Sequence, residues 1–169
     1  LSIESSMSLS SIEQSSSDII SSSQVLETGL IAHWKFDGVF DDEINNAHGY
    51  DLNNNILFTE GISGNSANLG SNEHSIRFNS EPELFFLQEY SIVGWIYIDQ
   101  IKSKQSIFSN FIALPGVAEG FSLLLTENGN LYVSIGSGSS WTEIESSELI
   151  PLKEWVQIGV TKSNSKLCI

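Results

Sequence analysis

The chain of 169 residues has one cysteine and seven lysine and arginine residues, against 21 aspartates and glutamates. A single cysteine cannot form an intrachain disulfide. The fold therefore does not depend on a disulfide, and a chain of this size can bury a core that is stable without such a bond. The net charge of −14 argues against nucleic acid and anionic membrane as partners, because phosphate groups are bound by clustered Lys and Arg. No apolar run approaches the roughly 20 residues of a membrane span, so membrane insertion is not expected.

The first 28 residues lack aromatic side chains, lysine and arginine, and twelve of them are serine. They have neither the basic start nor the apolar stretch of a secretion signal, and too few apolar side chains for a core. Ile12, Ile19 and Leu26 nevertheless recur every seven residues, the spacing of one helical stripe. We therefore predict that residues 1–28 form an assembly arm, helical or extended. The arm would bind a scaffold or self-associate and make few contacts with its own domain; a disordered linker is the alternative.

From residue 29 onward the pattern is almost entirely that of short β-strands separated by turn residues. Candidate strands cover 30–36, 49–52, 55–62, 75–79, 90–98, 105–110, 120–127, 130–136, 141–146, 155–162 and 166–169. Many short strands at regular spacing are typical of a sandwich or jelly roll. Asn128-Gly129, between two apolar runs, predicts a hairpin with a type I′ turn, whose two central residues need positive φ.

Two of these segments predict how their sheet is covered. Segment 90–98 is apolar on both sides, which indicates a strand in the middle of a sheet. In segment 155–162, Val156, Ile158 and Val160 share one side, which indicates one core face and one wetter face.

Six stretches follow one another along the chain: GLIAHWKFDG, DDEINNAHGYDL, GISGNSANLGSNEHSIRF, YSIVGWIYI, GFSLLLTENGNLYVSIG and LKEWVQIGVTKSNSKLCI. In this order they resemble the laminin-G-like, concanavalin-A-like lectin/glucanase jelly roll. The resemblance covers residues 29–169 and implies an all-β, two-sheet antiparallel jelly-roll sandwich preceded by the Ser-rich arm. The family usually continues with a Tyr-Val-Asp-Gly hairpin and closing strands. We therefore expect residues 29–169 to be a piece of a longer polypeptide, incomplete at the C-terminus, with one sheet edge unpaired.

The stretch EIESSE resembles in its spacing the strand on which glucanases of the family carry their catalytic carboxylates. It offers Glu143, Glu145 and Glu148. Glu replaces the family's Asp, however, and Ser146 and Ser147 stand where apolar residues would hold the strand in the sheet. We therefore predict a solvated acidic edge strand and no enzyme, with a glycoside hydrolase as a distant alternative.

The loop that follows the first strand of the domain is rich in oxygen ligands. It contains Asp37, Asp41, Asp42, Glu43 and two asparagines. Ca²⁺ binds six to eight oxygens, and a turn rich in carboxylates supplies several of them. These four acidic residues are therefore predicted to bind one calcium ion. The alternative is a solvated turn whose Asp and Asn side chains cap the backbone.

The remaining candidate residues carry weaker signals. His33, His48 and His74 have no ligand spacing with one another or with Cys168, so we expect ordinary histidines and a packed thiol. Trp141 follows a flexible GSGSS loop at the start of a strand, which predicts stacking on a sugar ring. The alternative is that Trp141 only covers a sheet edge.

Together these features predict a non-catalytic binding or adhesion module that binds a glycan or a protein. The expected location is extracellular, on a cell or virion surface, with calcium as the one candidate cofactor. The alternative is a structural component of a virion or fibre, in which the arm anchors an outward jelly roll.

Overall fold

The computed structural model of the chain describes residues 2–10, 29–70, 74–78, 89–110, 112–114 and 117–169, with the backbone alone for 2–10 and 112–114. These residues form fifteen β-strands and no helix. The all-β prediction is therefore confirmed.

The strands follow one another at short intervals along the chain. They are β1 (Ser2–Ser10), β2 (Leu30–Trp34), β3 (Gly49–Asp51), β4 (Leu57–Glu60), β5 (Asn65–Asn68), β6 (Ile76–Phe78), β7 (Tyr90–Tyr97), β8 (Gln105–Ser109), β9 (Ile112–Leu114), β10 (Val117–Glu119), β11 (Phe121–Leu125), β12 (Asn130–Gly136), β13 (Trp141–Leu149), β14 (Trp155–Lys162) and β15 (Leu167–Cys168).

Two larger sheets carry most of these strands. Seven strands form one sheet, in the order β15–β14–β7–β1–β5–β4, with β2 also paired to β1. Four strands form the other, in the order β13–β12–β11–β8, and β9–β10 and β3–β6 are separate antiparallel pairs. Buried side chains from both larger sheets, such as Ile96 and Val133, belong to one hydrophobic core. The sheets therefore face each other as a sandwich.

Trp34, at the end of β2, lies in the core and is 1% exposed. Its indole N–H donates a hydrogen bond of 2.7 Å to the carbonyl of Ala47. The ring centroid lies 4.6 Å from that of Phe78 and 6.3 Å from that of Phe108. Because a buried donor without a partner costs about 1–3 kcal/mol, this hydrogen bond holds the chain around Ala47 against β2.

The alternation of apolar residues in the sequence predicted the strands that form the core. Strands β12 and β14 match the predicted segments residue for residue, and β7 lies between β14 and β1, as expected for a strand in mid-sheet. The predicted segment 55–62 is shorter, as β4 (Leu57–Glu60). Strands β1, β5, β9 and β10 were not among the pattern-based candidates. β5 reads Asn-Ser-Ala-Asn and is a strand because β1 and β4 pair with it on either side.

The predicted Asn128-Gly129 hairpin is present between β11 and β12, but the prediction of a type I′ turn is wrong. Only Gly129 has positive φ, at 96°, whereas a type I′ turn also requires it at Asn128. The Gly129 N–H donates to the Thr126 carbonyl at 3.0 Å, and the Thr126 N–H donates to the Asn130 carbonyl at 2.8 Å. This is the pattern of a three-residue loop in which glycine follows a turn.

Strand β1 corrects the prediction for the arm. Residues 2–10 pair with β7 on one side and with β2 and β5 on the other. The expectation that the arm makes few contacts with its own domain is therefore wrong for these nine residues. Ile12, Ile19 and Leu26 lie outside the described residues, and an assembly role for residues 1–28 stays a prediction.

The β9–β10 pair lies over the outer side of the four-stranded sheet. Ala118 and Gly138 exchange backbone hydrogen bonds of 2.9 and 2.7 Å. A side chain at Gly136 would place its Cβ 2.3 Å from the Ala118 carbonyl oxygen. Glycine at position 136 therefore lets the second backbone approach the sheet.

Candidate functional site

Strand β7 presents different side chains to the two sides of the seven-stranded sheet. Ile92 and Ile96 face the core and are 3% and 0% exposed. Val93, Trp95 and Tyr97 point to the outer side and are half-buried. A strand in mid-sheet is normally apolar on the core side, but large apolar residues on the outer side need a separate explanation.

Strand β14 extends this outer surface. It pairs with β7 in an unbroken register that sets Trp155 opposite Tyr97 and Gln157 opposite Trp95. The ring centroids of Tyr97 and Trp155 lie 5.6 Å apart, with 56° between the ring planes. We call Val93, Trp95, Tyr97, Trp155 and Gln157 the aromatic face.

The aromatic face has the chemistry of a stacking surface. Tyr and Trp provide large apolar area at a low entropy cost, since each has only two side-chain torsions. The Gln157 side chain is exposed, and its amide can both donate to and accept from a hydroxyl group. No member of the face carries a charge. These properties suit a neutral ligand with apolar C–H faces and hydroxyl groups at its rim.

Sequence reasoning placed the outer residues of both strands correctly but did not recognise this face. It put Trp155 on the wetter side of its strand and found apolar residues on both sides of 90–98. What it lacked was the pairing of β7 with β14, which are far apart in the chain. The available signal was two strands with aromatic residues on the side away from the core.

Trp141, the predicted ligand residue, lies on the other large sheet. It begins β13, the edge strand of the four-stranded sheet, and stands opposite Gly136. Trp141 is half-buried there, and the structure does not bring it together with the aromatic face. Its stacking on a glycan stays a prediction.

The outer side of the four-stranded sheet carries Tyr132, Glu143 and Glu145, which we call the acidic face. Tyr132 stands directly opposite Glu145 in the β12–β13 pair. A hydrogen bond with Glu143, together with burial and the charges of the two glutamates, raises the pKa of Tyr132 to about 12. The Lys104 ammonium lies 4.8 Å from the centroid of the Tyr132 ring. Tyr132 and Glu143 of the acidic face therefore contact groups within the chain.

Glu148 does not continue the acidic face. The β12–β13 register shifts between the pairs that contain Glu145 and Leu149, so β13 is irregular at residues 146–148. The Ser146 hydroxyl accepts a hydrogen bond from the Leu131 N–H at 3.0 Å and donates one to the Glu148 carbonyl at 2.8 Å. The predicted edge position of β13 matches the structure. The irregularity lies where the serines interrupt the apolar pattern.

Asp42, one of the predicted calcium ligands, is 4% exposed and anchors the backbone. Its carboxylate accepts hydrogen bonds from the N–H groups of His33 at 2.8 Å, Ile44 at 3.1 Å, Asn45 at 3.1 Å and Ala47 at 3.3 Å. Four donors on two oxygens leave the carboxylate little capacity for a metal ion. Asp42 therefore follows the capping alternative, although it is buried rather than solvated.

The other predicted calcium ligands also contact groups of the chain. Asp37 accepts hydrogen bonds from the backbone N–H and side-chain amide of Asn65 at 3.0 and 2.9 Å. Glu43 forms an ion pair of 2.6 Å with Lys35, while Asp41 is largely exposed. Within the described ranges, no group of three or more His, Cys, Asp or Glu side chains is placed to hold a metal ion. Calcium binding thus gains no geometric support and stays a prediction.

His33, His48 and Cys168 lie in ordinary surroundings, whereas the buried Nδ1 of His74 has no hydrogen-bond partner among the described residues. His33 lies 3.3 Å from Glu43, and the Nδ1 of His48 accepts a hydrogen bond from the Asp42 N–H at 3.1 Å. Cys168 is a half-buried free thiol in β15.

Two antiparallel sheets around one core define a β-sandwich. A laminin G-like family model, that of the concanavalin A-like lectin/glucanases superfamily, matches residues 69–169. The chain belongs to this superfamily, which confirms the resemblance seen in the sequence. Neither the curated proteins nor the solved structures include a match to the chain. In the described part of the chain, no helix is long and apolar enough to cross a membrane. Membership of the superfamily indicates a module that binds a carbohydrate or a protein.

Proposed function

We propose that the chain is a non-catalytic module that binds a neutral glycan through the aromatic face, within a longer protein displayed outside the cell. The observation that carries this proposal is the set of outward rings on β7 and β14. Trp95, Tyr97 and Trp155 are half-buried on the outer side of a sheet whose other side already forms the core. Aromatic residues grouped on an outer surface, each partly accessible, are characteristic of interaction sites.

Charge narrows the ligand class. The chain carries a net charge of −14, and the aromatic face has no basic residue. The net negative charge of the chain would repel sulfated and phosphorylated glycans. The aromatic face also offers no Arg or Lys to bind their anionic groups. Neutral oligosaccharides, which offer apolar ring faces and hydroxyl groups, fit the site.

The test compares two tryptophans on different sheets. Neutral oligosaccharides are titrated calorimetrically into the full chain, Trp155→Ala and Trp141→Ala. A ring that buries about 80 Å² of apolar surface contributes about 2 kcal/mol at ~25 cal/mol per Å². Trp155→Ala is therefore expected to weaken binding about 30-fold. Trp141→Ala is expected to bind like the parent chain.

Two results would contradict the proposal. Loss of affinity in Trp141→Ala alone would move the site to the four-stranded sheet, as the sequence predicted. A parent chain that binds no neutral glycan would leave a protein as the ligand of this module.

Absence of catalysis is the second part of the proposal. The argument rests on Glu143, which is hydrogen-bonded to Tyr132, and on the irregular backbone that separates Glu148 from Glu145. A retaining glycosidase needs two carboxyl groups about 5–5.5 Å apart on either side of the sugar. We expect no hydrolysis of a panel of β-glucans by the full chain. Turnover that disappears in Glu143→Gln would establish a glycoside hydrolase instead.

A further inference from the structure

Strand β1 fills a gap in the seven-stranded sheet that the rest of the described domain leaves open. We call the gap between β7 on one side and β2 and β5 on the other the strand slot. β7 pairs with β14 along its other edge, whereas β2 has no other partner among the described strands of the large sheet. Without a strand in the slot, the backbone groups along three strand edges would lack their sheet partners.

The register of β1 matches the slot in detail. Ile3 stands opposite Ile96 and Ala67, and Leu9 stands opposite Ile92 and Ala32. All four of these neighbours are buried. The apolar residues of β1 thus occupy register positions beside the core.

The polar residues of β1 occupy the alternate register positions. Ser2, Glu4 and Ser8 stand opposite Tyr97, Trp95 and Val93, which are outward-facing residues of β7. A one-residue slip would exchange the two sets of positions. The slot therefore selects one register of this particular sequence.

The fit of β1 is nevertheless weaker than that of an ordinary central strand. Five of its nine residues are serine, and only Ile3 belongs to the β-branched and aromatic residues favoured in strands. Its pairing with β7 is interrupted between Glu4 and Ser8, where three residues of β1 stand opposite Gly94 alone. Such a strand is expected to leave the sheet more easily than β7 or β14.

The covalent link of β1 to its domain is also longer than the pairing requires. Ser10 stands opposite Leu30, and antiparallel neighbours are commonly joined by two to five residues. Here residues 11–29 separate them, and a chain of that length can span at most about 60 Å. The link therefore does not dictate which copy of the domain receives the strand.

We propose that the strand slot is a strand-exchange site, and that its occupant in an assembly is β1 of a second copy of this chain. A second copy supplies the same sequence in the same register, so exchange leaves the contacts within the sheet unchanged. Concentration then decides between the two arrangements. A tethered strand has an effective concentration on the order of a millimolar, so dilute chains retain their own β1. Chains crowded on a shared scaffold exchange it.

Disulfide trapping in the full chain tests this proposal. All variants carry Cys168→Ser, and Ser8→Cys and Val93→Cys are placed in separate chains. These two positions are direct partners across β1 and β7, which is the geometry that a disulfide requires. The two variants are mixed in denaturant, refolded at increasing concentration, oxidised and analysed by non-reducing electrophoresis.

The expected result is a disulfide-linked heterodimer whose fraction rises with concentration. At the highest concentration it should exceed tenfold the amount formed by the control pair of Ser8→Cys with Thr142→Cys, an exposed position on the other sheet. A single chain that carries both Ser8→Cys and Val93→Cys should form an intrachain disulfide in dilute solution. Ser10→Cys with Ser91→Cys is a second pair that checks for local misfolding.

Two outcomes would overturn the proposal. If heterodimer yields for both slot pairs equal the control at every concentration, β1 is not exchanged between copies. If the double variant forms no intrachain disulfide, β1 does not occupy the slot in solution.

Discussion

The aromatic face and the acidic face lie on the outer sides of the two sheets of one sandwich, and they differ in what their side chains contact. On the acidic face, Glu143 is hydrogen-bonded to Tyr132, and the β9–β10 pair lies over the same side of the sheet at Gly136. On the aromatic face, Trp155 and Tyr97 contact each other while their strands bury the opposite side.

This difference shows that the most abundant side chains of a surface are not necessarily the ones available to a ligand. Carboxylates are the most frequent charged groups of the chain, yet those of Asp37, Asp42, Glu43 and Glu143 contact backbone N–H groups, an amide, a lysine and a tyrosine. Aromatic residues make up 10% of the chain, yet three of them share one outward surface. The composition suggests the acidic residues as the binding groups, whereas the geometry favours the aromatic face as the binding surface.

A pair of glycine substitutions is expected to give the largest difference in stability between the covered side of the four-stranded sheet and the open side that carries the aromatic face. In Gly136→Ala the new Cβ would lie 2.3 Å from a backbone oxygen, so the β9–β10 pair must shift. We expect a loss of about 3 kcal/mol in the free energy of unfolding. In Gly159→Ala, on the side of the aromatic face, the new Cβ meets its nearest atoms at 3.8 Å, which is ordinary contact. We expect a change within about 0.5 kcal/mol.

Urea unfolding of the two variants and the parent chain measures both effects. Each is a substitution of glycine by alanine within a strand and without positive φ, so the intrinsic backbone effects cancel in the comparison. Equal losses in the two variants would mean that the outer sides of the sheets are equally covered.

Charge removal on the acidic face provides an intermediate test. Glu143→Gln removes the carboxylate that binds the Tyr132 hydroxyl, so the pKa of Tyr132 should fall from about 12 towards its ordinary value of 10. Tyr90 is the internal control, because burial in the core raises its pKa to about 12. Tyrosinate absorbance during an alkaline titration measures both groups. An unchanged titration curve in Glu143→Gln would show that the two side chains do not interact.

The same shift has a defined consequence for stability. The folded chain holds the Tyr132 proton more tightly than the unfolded chain, because its pKa is raised. The stabilising contribution is therefore fully present below pH 10 and is lost as the pH rises from 10 to about 12. Glu143→Gln should lack this part of the alkaline stability loss, which unfolding in urea at pH 8 and pH 11 would detect.

Calcium gives the smallest expected effect. If the acidic residues were the binding part of the molecule, saturating calcium would raise the melting temperature, since a ligand of the native state stabilises it. We expect a shift of less than about 1 °C, because Asp42 and Asp37 already accept hydrogen bonds from the chain. A larger shift in the parent chain that is absent in Asp41→Asn would confirm the calcium site predicted from the sequence.

The sequence predicted those parts of the fold that depend on local alternation. Strands β12 and β14 were found because each sets a row of apolar residues on one side. Strands β1 and β5 were not, because serine, asparagine and alanine carry no such signal and become strands through their neighbours. The aromatic face could not be predicted, because it depends on the pairing of two distant strands. The role of Asp42 required knowledge of which backbone N–H groups converge on it.

One structural feature links the two proposals, namely the position of β1 beside the aromatic face. Ser2 stands opposite Tyr97 and Glu4 opposite Trp95, so rows across three strands end at Trp155 and Gln157. A glycan long enough to reach from these residues to β1 would contact both the aromatic face and β1. These two parts belong to one copy of the chain without strand exchange and to two copies after it. Because the β1 residues beside the aromatic face are the same in both arrangements, ligand occupancy and strand exchange are coupled only if the ligand binds one arrangement more tightly than the other. Any preference of the ligand for one arrangement must appear, with equal magnitude, as an effect of exchange on ligand affinity.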